Sequence, residues 1–456
     1  MNIQKYTSVY FIGAGGIGMS ALVRYFLSKD FFVAGYDRTA TPLTEDLITE
    51  GAAIHFVEDS TRIPLQCQDK EKTLVIYTPA IPAKHQELIF FKEHGFKIHK
   101  RSEVLGLISR SSKALCVAGT HGKTTTSTIL AHLMYQSEQK CTAFLGGIAK
   151  NYHSNLLLSN SSDYVVVEAD EYDRSFHQLQ PYMSVITSAD TDHLDIYGTA
   201  DAYRKAFEKY TSLIQPGGVL LLHTHVNITP CLQKGVRTFS YAREEGDYHA
   251  ENIRIEQGEI TIDFISPTEN ITNINIGVPI SINIENSVAA IAVAQLCGVK
   301  AAEIRKAMAT FKGIDRRFDF HLKNEKCVYL SDYAHHPKEI EQSIRSIREL
   351  YPTKKITGVF QPHLYTRTRD FYHEFAQALT ALDDIIITNI YPAREEPIEG
   401  VSSELIYNEL PADKEKTLCS TQQLLQLLAS KKIEVLITLG AGDIENLSGE
   451  ITNLLR

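Results

Sequence analysis

The sequence predicts an α/β protein of three consecutive domains, and three observations carry that expectation. The chain has 456 residues, about three times a usual domain length. Short apolar runs alternate with longer helix-like stretches along most of it, the rhythm of βαβ units around parallel sheets. Two glycine-rich turns stand in separate parts of the chain, each between a strand-like and a helix-like segment, so a phosphate-binding turn is expected twice.

The first domain, residues 1–108, is read from the runs VYFI, FVAGYD, TLVIYTPA and FKIHKR. Between its first strand and first helix, Gly13-Ala14-Gly15-Gly16-Ile17-Gly18 spells GxGxxG, and Asp37 closes the next strand. Glycines there allow a tight turn and close backbone approach, while the helix start offers unpaired N–H groups and a positive dipole to a diphosphate. A dinucleotide or a nucleotide sugar is the expected ligand.

The second domain, residues 109–315, opens with ALCVAGTHGKTTT. Gly119-Thr120-His121-Gly122-Lys123-Thr124-Thr125 is a second phosphate loop, although Val117 stands where the longer form has its first glycine. Lys123 is expected to neutralise the β and γ phosphates and the Thr124 hydroxyl to ligate Mg²⁺. Glu168, Asp170, Glu171 and Asp173 close the apolar strand YVVVEADE, where carboxylates need a cation or donors. Asp190, Asp192, His193 and Asp195 close SVITSAD, read as the neighbouring strand, so Glu168 and His193 are expected to share the Mg²⁺. The period-2 segments ENIRIEQGEITIDFIS and ITNINIGVPISI follow, then the helix ENSVAAIAVAQLCGV.

The third domain, residues 316–456, repeats the strand–helix series with VYLSDYAHH, KKITGVFQPH, DDIIITNIY and EVLITLGAG. Pro337 suits a helix's first turn, so Asp332 to His336 project from a strand end. Arg367 and Arg369 follow the strand ITGVF, where a guanidinium grips a carboxylate or phosphate bidentately.

Composition excludes several classes. Hydrophobic residues at 43% and charged residues at 22% are those of an ordinary globular protein, not a disordered or fibrous one. A net charge of -9 supplies no electrostatic footprint for nucleic acid or anionic membrane. The 7 cysteines form no CxxC pair, which argues against a disulfide framework and a zinc site and predicts free, mostly buried thiols. The start MNIQKYTSVYFIGAGG lacks a signal-peptide layout and no uncharged apolar run reaches about 18 residues, so a cytoplasmic protein without membrane insertion is expected.

The motifs GAGGIGMS, GTHGKTTT, EADEYD, DHLDIYG, FKGIDRRF, DYAHHP, FQPHLYTRTR and LGAGD, in this order over nearly the whole chain, resemble the Mur ligases of peptidoglycan synthesis. The resemblance implies a UDP-sugar-binding Rossmann-like domain, a central ATP- and Mg²⁺-binding domain with extra strands, and a carboxy-terminal Rossmann-like domain that binds an amino acid. It implies ATP-dependent amide formation: the lactyl carboxylate of UDP-N-acetylmuramate attacks ATP, giving an acyl phosphate that the amine of L-alanine opens. Thr78, Ala80 and Ile81 are then expected beside the sugar nucleotide, Asn283 and Asn286 at adenine, Asp332 at the ribose and Arg317 at the phosphates. Tyr333, His335 and Arg367 frame the amino acid, with Lys123, His335 and Arg367 as catalytic residues, and the third domain closes over both substrates.

Sibling ligases carry a carbamoylated lysine on the helix after the DHLD motif, whereas DAYRKAFEKY places Phe207 there and Lys205 nearby. That feature belongs to the alanine-adding branch and to a recycling ligase that attaches a tripeptide; the amino-terminal GAGGIGMSAL favours alanine. Leu364 replaces the basic residue that many family members have after FQPH, shifting carboxylate binding onto Arg367. A monomer or homodimer is expected. Two other classes remain: a NAD-dependent oxidoreductase leaves GTHGKTTT and both acidic strand ends without a role, and a nucleotide-switched binding protein uses them without ligation.

Overall fold

The computed structural model describes residues 3–256, 259–393 and 395–456. In it the first apolar runs become β1 (Ser8–Ile12), β2 (Phe32–Tyr36), β4 (Thr73–Tyr77) and β5 (Ile98–Lys100), and a short strand absent from that reading, β3 (Ala53–His55), joins them. They form one parallel sheet in the order β3-β2-β1-β4-β5. All of β1 is buried, as a central parallel strand covered on both faces must be. Ile12 pairs with both Tyr36 and Tyr77, so the carboxyl ends of three strands lie level and the chain leaves them together at the switch point.

The next sheet comprises β6 (Lys113–Ala118), β7 (Thr142–Ala149), β8 (Ser154–Leu157), β9 (Tyr164–Ala169), β10 (Met183–Ile186), β11 (Val219–His223) and β12 (Arg237–Tyr241). Its order is β12-β11-β10-β6-β9-β7-β8. This corrects one expectation: the strand YVVVEADE and the strand SVITSAD are not neighbours, because β6 lies between β9 and β10 and pairs with both. The phosphate loop leaves β6, so acidic strand ends flank it on either side.

A separate three-stranded sheet follows, with β13 (His249–Glu256), β14 (Glu259–Ile265) and β15 (Ile271–Asn275). Along β14 burial alternates, the period-2 signature of a sheet with one wet face. The period-2 reading of ITNINIGVPISI ran too far. The strand ends at Asn275, Gly277 and Pro279 interrupt it, and the helix Ser281–Leu296 starts earlier than expected.

The last sheet has β16 (Asp319–Lys323), β17 (Val328–Asp332), β18 (Ile356–Phe360), β19 (Asp384–Ile387), β20 (Glu415–Leu418) and β21 (Val435–Leu439) in the order β16-β17-β21-β18-β19-β20. Only β16 runs antiparallel among the pairs of this sheet. The chain divides into two compact units: one spans 1–254 with 261–277 and 284–312, the other 313–456 with two short segments, 255–260 and 278–283. Five cysteines are buried, Cys231 is exposed and Cys419 half-buried, and all seven are free. Among the described residues no helix is long and apolar enough to cross a membrane.

Candidate active site

The phosphate loop is built by two glycines that no other residue replaces. Gly119 and Gly122 have φ of 139° and 79°, in the left-handed region, and a Cβ on Gly119 would meet the Ser188 backbone nitrogen at 2.8 Å. The helix Lys123–Gln136 starts immediately after Gly122, so its first-turn N–H groups, those of Lys123, Thr124 and Thr125 among them, face the loop. Thr120 donates its hydroxyl to the Asp190 carbonyl at 2.7 Å, and the His121 N–H donates to Ser188 at 2.8 Å, tying the loop to the end of β10. Thr126 bonds Asn286 at 3.1 Å, while Asn283 donates to the Val278 carbonyl at 3.2 Å in its own segment.

Lys123 Nζ bonds the carbonyls of Gly119 at 2.6 Å and Thr120 at 3.2 Å and the Glu171 carboxylate at 2.8 Å and 3.0 Å. Burial alone would lower its pKa, but Glu171, Glu168 and Asp170 outweigh it and hold the ammonium above its ordinary value. Glu171 is itself buried, which pushes its carboxyl up to about 7.

Thr124 donates its hydroxyl to Glu168 at 3.2 Å. His193 faces Glu171 at 3.7 Å, so the expected trio of Thr124, Glu168 and His193 is split into two contacting pairs around the loop. No three His, Cys, Asp or Glu side chains among the described residues form a metal site by themselves. A hydroxyl and a carboxylate beside a phosphate loop nevertheless fit Mg²⁺, which keeps waters and takes phosphate oxygens. Gly146 leaves room for Glu168: a Cβ there would meet its Cδ at 2.6 Å. The Asp195 side chain lies outside the described residues.

The first turn sits at the switch point. Gly13 and Ala14 donate to the Tyr36 carbonyl at 2.8 Å and 3.0 Å, and Gly15 donates to Asp37 Oδ2 at 2.7 Å. Asp37 thus anchors the turn itself. Gly16 precedes the helix Ile17–Leu27, and a Cβ on Gly13 would meet Thr78 Cγ2 at 2.6 Å, with Ile81 next to it. Ala80 is exposed. A cleft of about 230 Å³ runs from the first turn to Glu168, lined by Gly16, Gly18, Thr78, Arg101, Gly146, Glu168 and Asp170. Arg101 pairs with Asp170 at 3.1 Å across it.

Phe207 is fully buried against Phe176 and Tyr203, with ring centroids 5.2 and 5.3 Å away, whereas Lys205 is exposed and paired with Asp201 at 2.8 Å. Neither supplies a lysine to the loop.

In the other unit, β17 ends at Asp332, whose carboxylate accepts from Ser343; burial pushes its pKa up, against Ser343 and Arg317. The Arg316 and Arg317 guanidinium groups lie 5.2 and 5.1 Å from the Tyr333 ring centroid. His335 Nδ1–H donates to the Tyr333 carbonyl at 2.9 Å, leaving Nε2 as a base. Burial pulls its pKa down, Glu339 opposes and Arg367 adds to the fall. His335 and His363 rings are 6.0 Å apart, and Arg367 bonds His363 at 3.2 Å. Tyr333, His335 and Arg367 therefore gather at the ends of β17 and β18. His363, Arg101 and Gly146 complete the two sites without having been singled out as site residues, and Glu171, read only as one of an acidic cluster, is the partner of Lys123. The paired glycines of TAFLGGIA were the one signal for Gly146.

Three family models match in succession: the Mur ligase family catalytic domain over residues 8–113, the Mur ligase middle domain over 117–294, and the Mur ligase glutamate ligase domain over 316–442. The chain is 61% identical to a UDP-N-acetylmuramate--L-alanine ligase of Phocaeicola vulgatus, covering 100% of this chain and 99% of that one. It is 52% identical to the protein of that name from Porphyromonas gingivalis, over 96% and 97%. The crystal structure of a UDP-N-acetylmuramate-alanine ligase from Thermotoga maritima superimposes with a TM-score of 0.83 at 27% identity, covering 98% of each chain. A murein peptide ligase from Psychrobacter arcticus shares the fold at 19% identity, with a TM-score of 0.70.

Proposed function

The chain belongs to the Mur ligase family, and we propose that it joins L-alanine to the lactyl carboxylate of UDP-N-acetylmuramate at the expense of ATP, releasing ADP and phosphate. The observation that carries this reading is the cleft connecting the Gly13–Gly18 turn to Glu168 beside the Lys123 loop. A sugar nucleotide on the turn extends its lactyl group toward the place where a nucleotide on the loop presents its γ-phosphate.

A carboxylate attacking a phosphate brings like charges together, so catalysis is positioning and charge neutralisation. Lys123 supplies one positive charge. Mg²⁺ held by Thr124 and Glu168, with His193 nearby, would supply more when bound. Asn283, Asn286, Arg317 and Asp332 are assigned to ATP, and Gly13 to Gly18, Asp37, Thr78, Ala80 and Ile81 to the UDP-sugar. Arg367 and Tyr333 receive the amino acid. His335, neutral through burial, takes a proton from the attacking ammonium through Nε2. The functional division is 1–108 for the sugar nucleotide, 109–315 for ATP and 316–456 for the amino acid, in a cytoplasmic enzyme.

The test is phosphate release with Mg²⁺ and ATP, omitting UDP-N-acetylmuramate and each amino donor in turn, with the product weighed by mass spectrometry. An alanyl adduct formed only with L-alanine is the expected result. Dependence on a tripeptide would reassign the chain to recycling, and ATP binding without turnover would make it a nucleotide-switched protein.

A further inference from the structure

The phosphate-loop lysine has a partner that the motif reading does not assign. An ammonium carries three donors, and those of Lys123 are directed at the Gly119 carbonyl, the Thr120 carbonyl and the Glu171 carboxylate. The two carbonyls are neutral and belong to the loop. Glu171 is an anion, and with side-chain exposures of 14% for Lys123 and 3% for Glu171 the pair is largely shielded from solvent and salt.

Glu171 is itself fixed from behind. Its carbonyl accepts the Tyr197 hydroxyl at 2.5 Å and the Arg174 N–H at 3.0 Å. The next residues, Asp173 and Arg174, both adopt left-handed backbone, with φ of 52° and 54°, a conformation costly for two successive non-glycine residues. Two contacts hold that turn: Lys100 pairs with Asp173 at 2.7 Å, and the Arg174 guanidinium lies 4.7 Å from the Tyr197 ring centroid.

We propose that Glu171 is a positioning residue that holds the Lys123 ammonium in the phosphate loop and competes for it with the phosphates of the nucleotide. The proposal rests on the ligase reading for its kinetic consequence but not for its binding consequence. A phosphate that engages Lys123 must share or displace the carboxylate, because the remaining donors already serve the loop. Removing the charge of Glu171 while keeping its shape therefore strengthens nucleotide binding and loosens the lysine. Affinity and turnover move in opposite senses, a split that neither a metal-ligand role nor general destabilisation produces.

The experiment compares the full-length chain with Glu171→Gln, Glu171→Asp and Tyr197→Phe. ATP affinity is measured by calorimetric titration at fixed Mg²⁺, kcat by phosphate release, and folding by thermal unfolding. For Glu171→Gln the Kd for ATP is expected to fall about tenfold, equivalent to ~1.4 kcal/mol, with kcat falling by a similar factor. Glu171→Asp, which keeps the charge, returns both toward the parent values. Tyr197→Phe lowers kcat with the Kd unchanged. A folded Glu171→Gln protein that binds ATP with equal or weaker affinity overturns the proposal. If the parent chain releases no phosphate with UDP-N-acetylmuramate and L-alanine, the ligase reading fails, and the ATP titration still decides the role of Glu171.

Discussion

Replacing Gly146 by alanine tests whether Glu168 is placed for chemistry. Gly146 lies in β7 outside the left-handed region, so the backbone accepts alanine without strain. The added Cβ would overlap Glu168 Oε2 and stand 2.6 Å from Cδ, and ordinary contact begins at 3.4 Å, so the carboxylate must retreat by at least about 0.8 Å. A shift of that size disturbs the contact with the Thr124 hydroxyl, now 3.2 Å away. Displacement of a positioned group on the order of 1 Å costs on the order of 10²-fold in rate. Stability should change little, because the clash is with the end of a side chain and alanine disfavours the unfolded chain by about 0.4–1 kcal/mol. Phosphate release is measured across a Mg²⁺ titration, beside thermal unfolding. The expected result is a large fall in kcat/KM with a raised Mg²⁺ requirement at nearly unchanged Tm. A variant with parental kcat/KM and Mg²⁺ dependence would show that the carboxylate position is immaterial, and the metal assignment would fall.

Three other outcomes follow from the geometry. Lys123→Met should lower kcat by at least about 10²-fold, and its Tm deficit should grow above pH 7: burial pushes the Glu171 carboxyl up to about 7 even with Lys123 lowering it, so without the lysine it titrates higher still and the variant goes on losing stability where the parent no longer does; a deficit flat between pH 6 and 8 would contradict the pairing. Glu87 is fully buried, accepts the Tyr10 hydroxyl at 2.8 Å, and burial pushes its pKa from 4.5 to about 7. Its folded pKa lies above its unfolded one, so its contribution to stability is complete below about pH 4.5 and is lost as pH rises through 7. Glu87→Gln removes that slope and should gain about 3 kcal/mol at pH 8 relative to acid conditions, at 1.36 kcal/mol per tenfold, as read by urea denaturation; equal slopes in both proteins would refute it. Arg367→Ala should raise the KM for L-alanine by at least about tenfold while leaving the KM for ATP near parental, since a charge-assisted contact to a carboxylate contributes about 1.5–3 kcal/mol; a rise confined to ATP would move Arg367 to the nucleotide.

Most of the fold was legible because parallel strands buried on both faces read as unbroken apolar runs, as β1 and β9 do. Strands of few residues at sheet edges, such as β3, β8 and β20, carry too little pattern to be seen. The glycine turns were legible because their chemistry is local. The misplacement of β10 beside β9 has a different origin: strand order is set by crossovers and not by any one segment, and β6 lies between them. The acids of EADEYD were read together as metal ligands because a cluster of carboxylates predicts a cation. The structure divides them: Glu168 meets Thr124, Glu171 meets Lys123, Asp170 meets Arg101 and Asp173 meets Lys100. Three of the four partners are thus protein cations from elsewhere in the chain, which no local pattern announces.

That division bears on how the site is assembled. Arg101 and Lys100 stand at the start of the helix Arg101–Arg110, which leads from the first sheet into β6. Farther along, Gly106 packs so closely on the Gln178 backbone that an added Cβ would lie 3.0 Å from its carbonyl carbon. One short helix therefore fixes the cleft twice, by ion pairs to the acidic turn and by backbone contact behind it. The distance from the Gly13–Gly18 turn to Glu168 is set by packed elements of one compact unit, so the carboxylate and the phosphate acceptor site share one frame. Tyr333, His335 and Arg367 belong to the other unit. On the proposed assignment Lys123, Thr124 and Glu168 share the first body, whereas Asn283, Arg317 and Asp332 for ATP and Tyr333, His335 and Arg367 for the amine come from the second, and substitutions in the amine group should act on the amine step first.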